Sequence, residues 1–223
     1  MKIAHYQYVG WPRSGSTFIY RIFRKNARLQ DCATTVFKEK ICNTLNDYQE
    51  YRQFDYSINM NALTFANPDE SIQLADSVTD KFFACVRNPY DWISSVYTFS
   101  NGQLDFGANP NYTRALTRFN SLTTRPFKLF FFDDLIADTQ DFVNSIHDYL
   151  ELPYTVVDFD QVGKLESSSV YHDPSKAKNV SARTAETPCV YRTFTDGEIT
   201  TINHMITEFE DYIGRDFSQW KRS

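Results

Sequence analysis

Residues 10–17 read Gly10-Trp11-Pro12-Arg13-Ser14-Gly15-Ser16-Thr17. They follow the apolar stretch Ile3 to Val9 and precede Phe18-Ile19-Tyr20-Arg21-Ile22-Phe23. Strand, glycine-bounded turn and amphipathic helix in that order bring backbone N–H groups together at a helix N-terminus, where anions bind. Gly10, Gly15 and Thr17 fall where a phosphate-binding loop of the form G-x-x-x-x-G-K-[ST] has them, but Ser16 takes the lysine position. An ATP-using enzyme needs that lysine on the β- and γ-phosphates, so its loss argues against ordinary triphosphate chemistry. A cation remains inside the loop as Arg13, with the hydroxyls of Ser14, Ser16 and Thr17 as further donors. The same residues also fit a plain Ser/Gly turn; their placement between strand and helix favours an anion site.

A second segment, Lys81-Phe82-Phe83-Ala84-Cys85-Val86, reads as a buried strand running into Arg87-Asn88-Pro89-Tyr90-Asp91-Trp92-Ile93-Ser94-Ser95. Arg87 at the carboxyl end of that strand can present its fork to a phosphate dianion. Pro89 sets the direction of the first helical turn, and Ser95 lies further along the same helix. Taken alone, Arg87 also reads as a strand cap and Ser95 as part of a solvated helix face. Together, the two segments resemble the sulfotransferases that use 3′-phosphoadenosine 5′-phosphosulfate (PAPS). In that family a P-[KR]-S-G-[ST]-T loop holds the 5′-phosphosulfate. An R-x-P, with a serine eight residues after the arginine, holds the 3′-phosphate. Pro12 to Thr17 match the first motif, and Arg87, Pro89 and Ser95 match the second. The resemblance implies that Arg13, Ser14, Gly15, Ser16, Thr17, Arg87 and Ser95 bind the co-substrate.

A third segment, Phe127-Lys128-Leu129-Phe130-Phe131-Phe132-Asp133-Asp134-Leu135, is followed by a helix and the phrase Tyr149-Leu150-Glu151-Leu152-Pro153. Sulfotransferases often carry a strand, an acidic turn and a helix with a similar ending. The competing reading makes Asp133 the acidic strand end of a magnesium-dependent NTPase, which loses force without a lysine at position 16. Asp133 and Asp134 are expected to be structural, closing a turn and capping a helix. The irregular basic stretch His172 to Arg183 is similar to the late loop that this family closes over the 3′-phosphate. Lys178, with Lys176 and Arg183, is its candidate contact; a solvated loop fits equally.

For chemistry, the resemblance assigns Arg13 to the bridging oxygen and 5′-phosphate, where charge grows as the sulfuryl group leaves. Relatives use a histidine or glutamate base soon after the second strand, which points to Glu39 in Val36-Phe37-Lys38-Glu39-Lys40. A charged surface turn explains Glu39 as well. No metal is implied, because the departing adenosine bisphosphate has no β,γ-phosphate to chelate. The acceptor is a hydroxyl or amine, on carbohydrate, lipid headgroup, phenol or tyrosine. Two other readings stay open: a P-loop small-molecule kinase using ATP and magnesium, and a catalytically silent nucleotide-binding module.

The bulk properties agree with an ordinary globular chain. At 223 residues, 42% hydrophobic and 23% charged, the length and composition suit one domain spanning 1–223. A net charge of −5 gives no global attraction to nucleic acid or anionic membrane. The 19 Phe and 14 Tyr exceed what a core needs, so some are expected to wall an acceptor cleft. Cys32, Cys42, Cys85 and Cys189 show no metal-ligand spacing, and no apolar run approaches a membrane span, so the cytoplasm is the expected compartment. Strands are expected at 3–9, 32–37, 81–86 and 127–132, and helices at 16–28, 40–53, 90–100, 111–121, 139–150 and 196–213. Their alternation predicts an α/β fold with a mostly parallel central sheet flanked by helices; the resemblance implies that its architecture is the P-loop-like one of sulfotransferases. Segments 54–79, 101–126 and 154–194 lack periodicity and are the expected acceptor loops and lid.

Overall fold

Five strands, all paired in parallel, form the centre of the protein: β1 (Ala4–Tyr8), β2 (Thr34–Phe37), β3 (Tyr56–Asn59), β4 (Lys81–Val86) and β5 (Phe127–Phe131). Their order across the sheet is β2-β3-β1-β4-β5. The computed structural model describes residues 4–11, 13–26, 29, 34–37, 54–60, 73, 75–99, 111–153 and 192–223. Helices α1 (Ser16–Lys25), α2 (Pro89–Phe99), α3 (Asn111–Leu122), α4 (Phe132–Ala137), α5 (Thr139–Leu150) and α6 (Asp196–Ile213) accompany the sheet, followed by a 3-10 turn at Ser218–Trp220. The parallel α/β architecture is the expected one. The helix expected at 40–53 lies outside the described residues.

Two elements were not expected, the strand β3 and the short helix α4 where a turn was read. Residues 54–79 read as a loop, yet Tyr56–Asn59 is the strand β3, inserted between β1 and β2. Its inward side chains include Ser57 and Asn59, both buried, so no apolar run betrays it. Ser57 lies opposite His5 in the β1–β3 register, and its hydroxyl pairs with the His5 ring nitrogen Nδ1. Two buried polar side chains are joined across the strands here, which hydrophobic patterning does not detect.

Alternation along β4 divides the core in two. Phe82, Ala84 and Val86 join one cluster with α2, α3 and α6, while Phe83 and Cys85 join another with α1 and α5. The helix after β1 therefore packs on one face and the helix after β4 on the other. Since β1 and β4 are neighbours, the chain leaves their carboxyl ends in opposite directions. That is a topological switch point, the crevice where ligands bind in open parallel sheets.

Helix termini follow local sequence closely. Asp138 caps α5 by accepting from the Asp141 N–H at 2.9 Å. Thr195 and Glu198 form the full capping box of α6, and Gly214 closes that helix at φ 70°. Bonding from Arg192 and Thr195 holds the Glu198 carboxyl at about 2, far below its ordinary value.

The buried His147 of α5 supplies a pH signature. Its Nδ1 faces the Val143 carbonyl at 2.8 Å and its Nε2 faces Asn26 Nδ2 at 3.1 Å. This is the arrangement of a neutral ring donating through Nδ1 and accepting at Nε2. Burial holds its pKa below the usual 6.5 in the folded state. Its contribution is therefore complete above the unfolded-state pKa and is lost as pH falls below that value toward the folded one, by up to about 1.4 kcal/mol per pH unit. Urea midpoints at neutral and mildly acidic pH check this: His147→Leu is expected to shrink the difference that the native chain shows.

After Gly214 the chain folds back onto the sheet. Phe217 and Trp220 are buried and stacked with ring centroids 4.2 Å apart. Arg215 makes two hydrogen bonds to the Asp134 carboxylate, at 3.0 and 2.8 Å. Asp133 accepts from Trp220 Nε1. The acidic pair is thus structural, but not as caps: Phe131 occupies the N-cap of α4, and the carboxylates tether the tail instead.

Candidate active site

The loop after β1 is shaped by two glycines and one left-handed arginine. The Val9 N–H bonds the Phe83 carbonyl at 2.8 Å, carrying the β1–β4 pairing to the strand's end. A Cβ at Gly10 would lie 2.3 Å from the Tyr8 hydroxyl, so only glycine turns there without displacing a buried ring. Arg13 at φ 70° and Gly15 at φ 93° are both left-handed. Such residues turn backbone N–H groups into an anion-holding concavity. For Arg13 this conformation costs about 1–2 kcal/mol.

Helix α1 begins differently from α5 and α6. Its N-cap is Gly15, with no side-chain cap bond and no acidic residue in the first turn. Gly15 has no side chain with which to satisfy the N-terminal donors in the way that Asp138 and Thr195 do for α5 and α6. Ser14 and Ser16 are buried within the loop. Helix α2, by contrast, is capped: Asn88 Oδ1 accepts from the Tyr90 N–H at 3.0 Å.

Three contacts join this loop to the segment after β4. Arg13 Nε donates to Ser95 Oγ at 3.3 Å. Trp11 packs against Trp92 with ring centroids 5.5 Å apart. Phe132, at the start of α4, serves both motifs. Its ring would stand 3.2 Å from a Cβ at Gly15, and the Arg87 guanidinium lies over it at 4.7 Å from the centroid. Glycine is therefore favoured at 15 by its backbone angle, and a Cβ there would also press on the Phe132 ring. Of the expected site residues, Arg13, Ser14, Gly15, Ser16, Thr17, Arg87 and Ser95 gather at the carboxyl ends of β1 and β4. Glu39 and Lys178, with Pro12, Lys176 and Arg183, lie outside the described residues.

The electrostatics match a site with local charge on a mildly acidic chain. Burial pushes the Asp91 carboxyl up, while Arg87 and Arg222 act against that rise. Burial also pushes the Cys85 thiol well above its ordinary range, so it is inert packing. Among the described residues, no three His, Cys, Asp or Glu gather as a metal site. Phe132, Trp11 and Trp92 were not singled out by sequence. The triple-Phe run at 130–132 hides which ring turns toward the loop, because strand β5 ends inside it.

The fold is that of solved sulfotransferases. The crystal structure of a sulfotransferase from Alicyclobacillus acidocaldarius is similar over 100% of both chains, with TM-score 0.59 and 12% identity. Mouse sulfotransferase SULT7A1 complexed with PAP is similar over 93% of this chain and 85% of its own, with TM-score 0.54 and 15% identity. The sulfotransferase domain from the curacin biosynthetic pathway is similar over 97% and 99%, with TM-score 0.55 and 10% identity. At such identities the likeness is one of fold. No protein-family model matches the chain, and no curated protein matches it. Among the described residues no helix is long and apolar enough to cross a membrane.

Proposed function

We propose that this protein transfers a sulfuryl group from PAPS to a hydroxyl or amine of an acceptor. The reading is carried by the hydrogen bond from Arg13 Nε to Ser95 Oγ, one side chain from each anion motif, at the switch point between β1 and β4. The 5′-phosphosulfate belongs at the uncapped N-terminus of α1, held by backbone N–H groups and by Ser14, Gly15, Ser16 and Thr17. The 3′-phosphate belongs at Arg87 and Ser95, with Lys178 as a further contact. The PAP complex of the mouse sulfotransferase supports the same class of donor.

In the transfer, the bond from sulfur to the bridging oxygen breaks as a bond from sulfur to the acceptor forms. Arg13 offsets the negative charge that collects on the departing 5′-phosphate oxygen. Glu39, which follows the last residue of β2 by two positions, is assigned the acceptor's proton. Alignment of the donor falls to the loop, whose turn is set by the left-handed backbone of Arg13 and Gly15.

The kinase reading has less support. Ser16 is buried where the phosphate-binding lysine would stand, and Asp133 is engaged by Trp220 rather than presented to a metal. Calorimetry decides between them. Adenosine 3′,5′-bisphosphate is expected to bind without metal and at least about tenfold more tightly than ATP, with or without magnesium. Magnesium-dependent preference for ATP would replace this reading with the kinase. Bisphosphate binding with no transfer from PAPS to any of a panel of alcohols, phenols, saccharides and amines would leave a silent nucleotide-binding module.

A further inference from the structure

The junction of β5 and α4 is gripped by the C-terminal tail. Arg215 lies over the Phe131 ring at 4.3 Å and makes two hydrogen bonds to Asp134. Phe217 stands against Phe131 with ring centroids 5.2 Å apart, and Trp220 Nε1 donates to Asp133. Tail residues thus engage positions 131, 133 and 134. Helix α4 has only six residues, too few to persist on its own hydrogen bonds, so it depends on such anchors. The anchors are unequal. Arg215 and Asp134 are exposed, where an ion pair contributes little. Trp220 is 2% exposed, and a bond made by a buried ring holds more firmly.

Phe132 sits between the gripped positions and turns to the opposite face. Phe131 belongs to the core under α2, α3 and α6, whereas Phe132 packs against the core under α1 and α5. There the Arg87 guanidinium lies over its ring, 4.7 Å from the centroid, an arrangement attractive in itself. The same ring stands 3.2 Å from where a Cβ at Gly15 would be. One aromatic side chain therefore adjoins both anion motifs, and its neighbours in sequence are fixed by the tail. A displacement of α4 would disturb the Arg87 platform and the loop at Gly15 together.

We propose that Phe132 is a positioning residue for both anion subsites, and that the bond from Trp220 to Asp133 keeps it in place. The identity of the nucleotide rests on the sulfotransferase reading.

The test is a double-mutant cycle read by calorimetry, with urea midpoints measured on the same variants. Phe132→Leu is expected to weaken adenosine 3′,5′-bisphosphate about tenfold and adenosine 5′-monophosphate about threefold, since the latter loses only the loop contact. Trp220→Phe keeps a ring on Phe217 but removes the N–H, and is expected to weaken the bisphosphate about fivefold. In the Phe132→Leu background the same change should cost less than about twofold in affinity, while lowering the urea midpoint as much as it does in wild type. A merely structural role for Trp220 predicts equal affinity losses in both backgrounds, or a lower midpoint with unchanged affinity; either result overturns the proposal, as does unchanged binding in Phe132→Leu. Asp133 supplies a second route if Trp220→Phe folds poorly. Asp133→Asn and Asp133→Ala both remove the charge, but only asparagine keeps an acceptor for Trp220. The alanine variant is expected to bind the bisphosphate about fivefold more weakly than the asparagine variant, and equal affinities overturn the proposal. Wild-type protein that ignores the bisphosphate ends the donor reading and this proposal together, whereas an intact wild-type affinity with unresponsive variants ends this proposal alone.

Discussion

Replacing Arg13 by alanine is expected to slow sulfuryl transfer about 100- to 1000-fold, the loss of about 3–4 kcal/mol typical of removing one donor from developing transition-state charge. The fold is expected to survive, because Arg13 lies in a loop and its side chain is only half-buried. Affinity for adenosine 3′,5′-bisphosphate should change much less than turnover, since the assigned charge grows only as sulfur departs. The backbone provides an internal control. Arg13 holds φ 70°, where any side chain is strained, so Arg13→Gly should raise stability by up to about 1 kcal/mol while losing turnover just as severely. Gain in urea midpoint together with loss of PAPS turnover is the signature of strain kept for function. Near-normal turnover in either variant would remove Arg13 from the leaving group.

Arg87→Ala is expected to weaken adenosine 3′,5′-bisphosphate about 100-fold, corresponding to about 2.7 kcal/mol. The size follows from the setting. The guanidinium is held at the carboxyl end of β4 over the Phe132 ring, half-buried, where a phosphate would lose much of its water. Charge-assisted bonds in such surroundings exceed those at an open surface. Adenosine 5′-monophosphate should lose less than about twofold, because nothing in it reaches Arg87. Equal losses for the two nucleotides, measured by calorimetry, would show instead that the variant had disturbed Phe132 and with it the loop at Gly15.

Legibility from sequence varied with the range of the interaction. The strand–turn–helix at the start of the chain, the buried run of β4 and the caps at Asp138 and Thr195 could all be read, because each rests on residues a few positions apart. Strand β3 could not, since Ser57 and Asn59 are buried polar side chains and Ile58 alone signals a core. The roles of Asp133 and Asp134 were misread for a related reason. Their partners Trp220 and Arg215 are more than 80 residues away, so capping looked like the nearer use. Phe132 was passed over because a run of three phenylalanines has no periodicity to say which ring leaves the strand.

By itself, the order of residues determined which segments become strands and helices, where glycine must stand, and that two clusters of anion-binding types follow two buried strands. Only tertiary structure decided that those clusters touch. Arg13 meets Ser95 across 82 positions because β3 enters between β1 and β2 and leaves β4 beside β1. The tail brings Arg222 to Tyr90 because Asn203 on α6 holds its backbone. Hydrophobic period and capping are set by neighbours along the chain, whereas strand order and tail docking come from packing whole faces together, which no local pattern encodes.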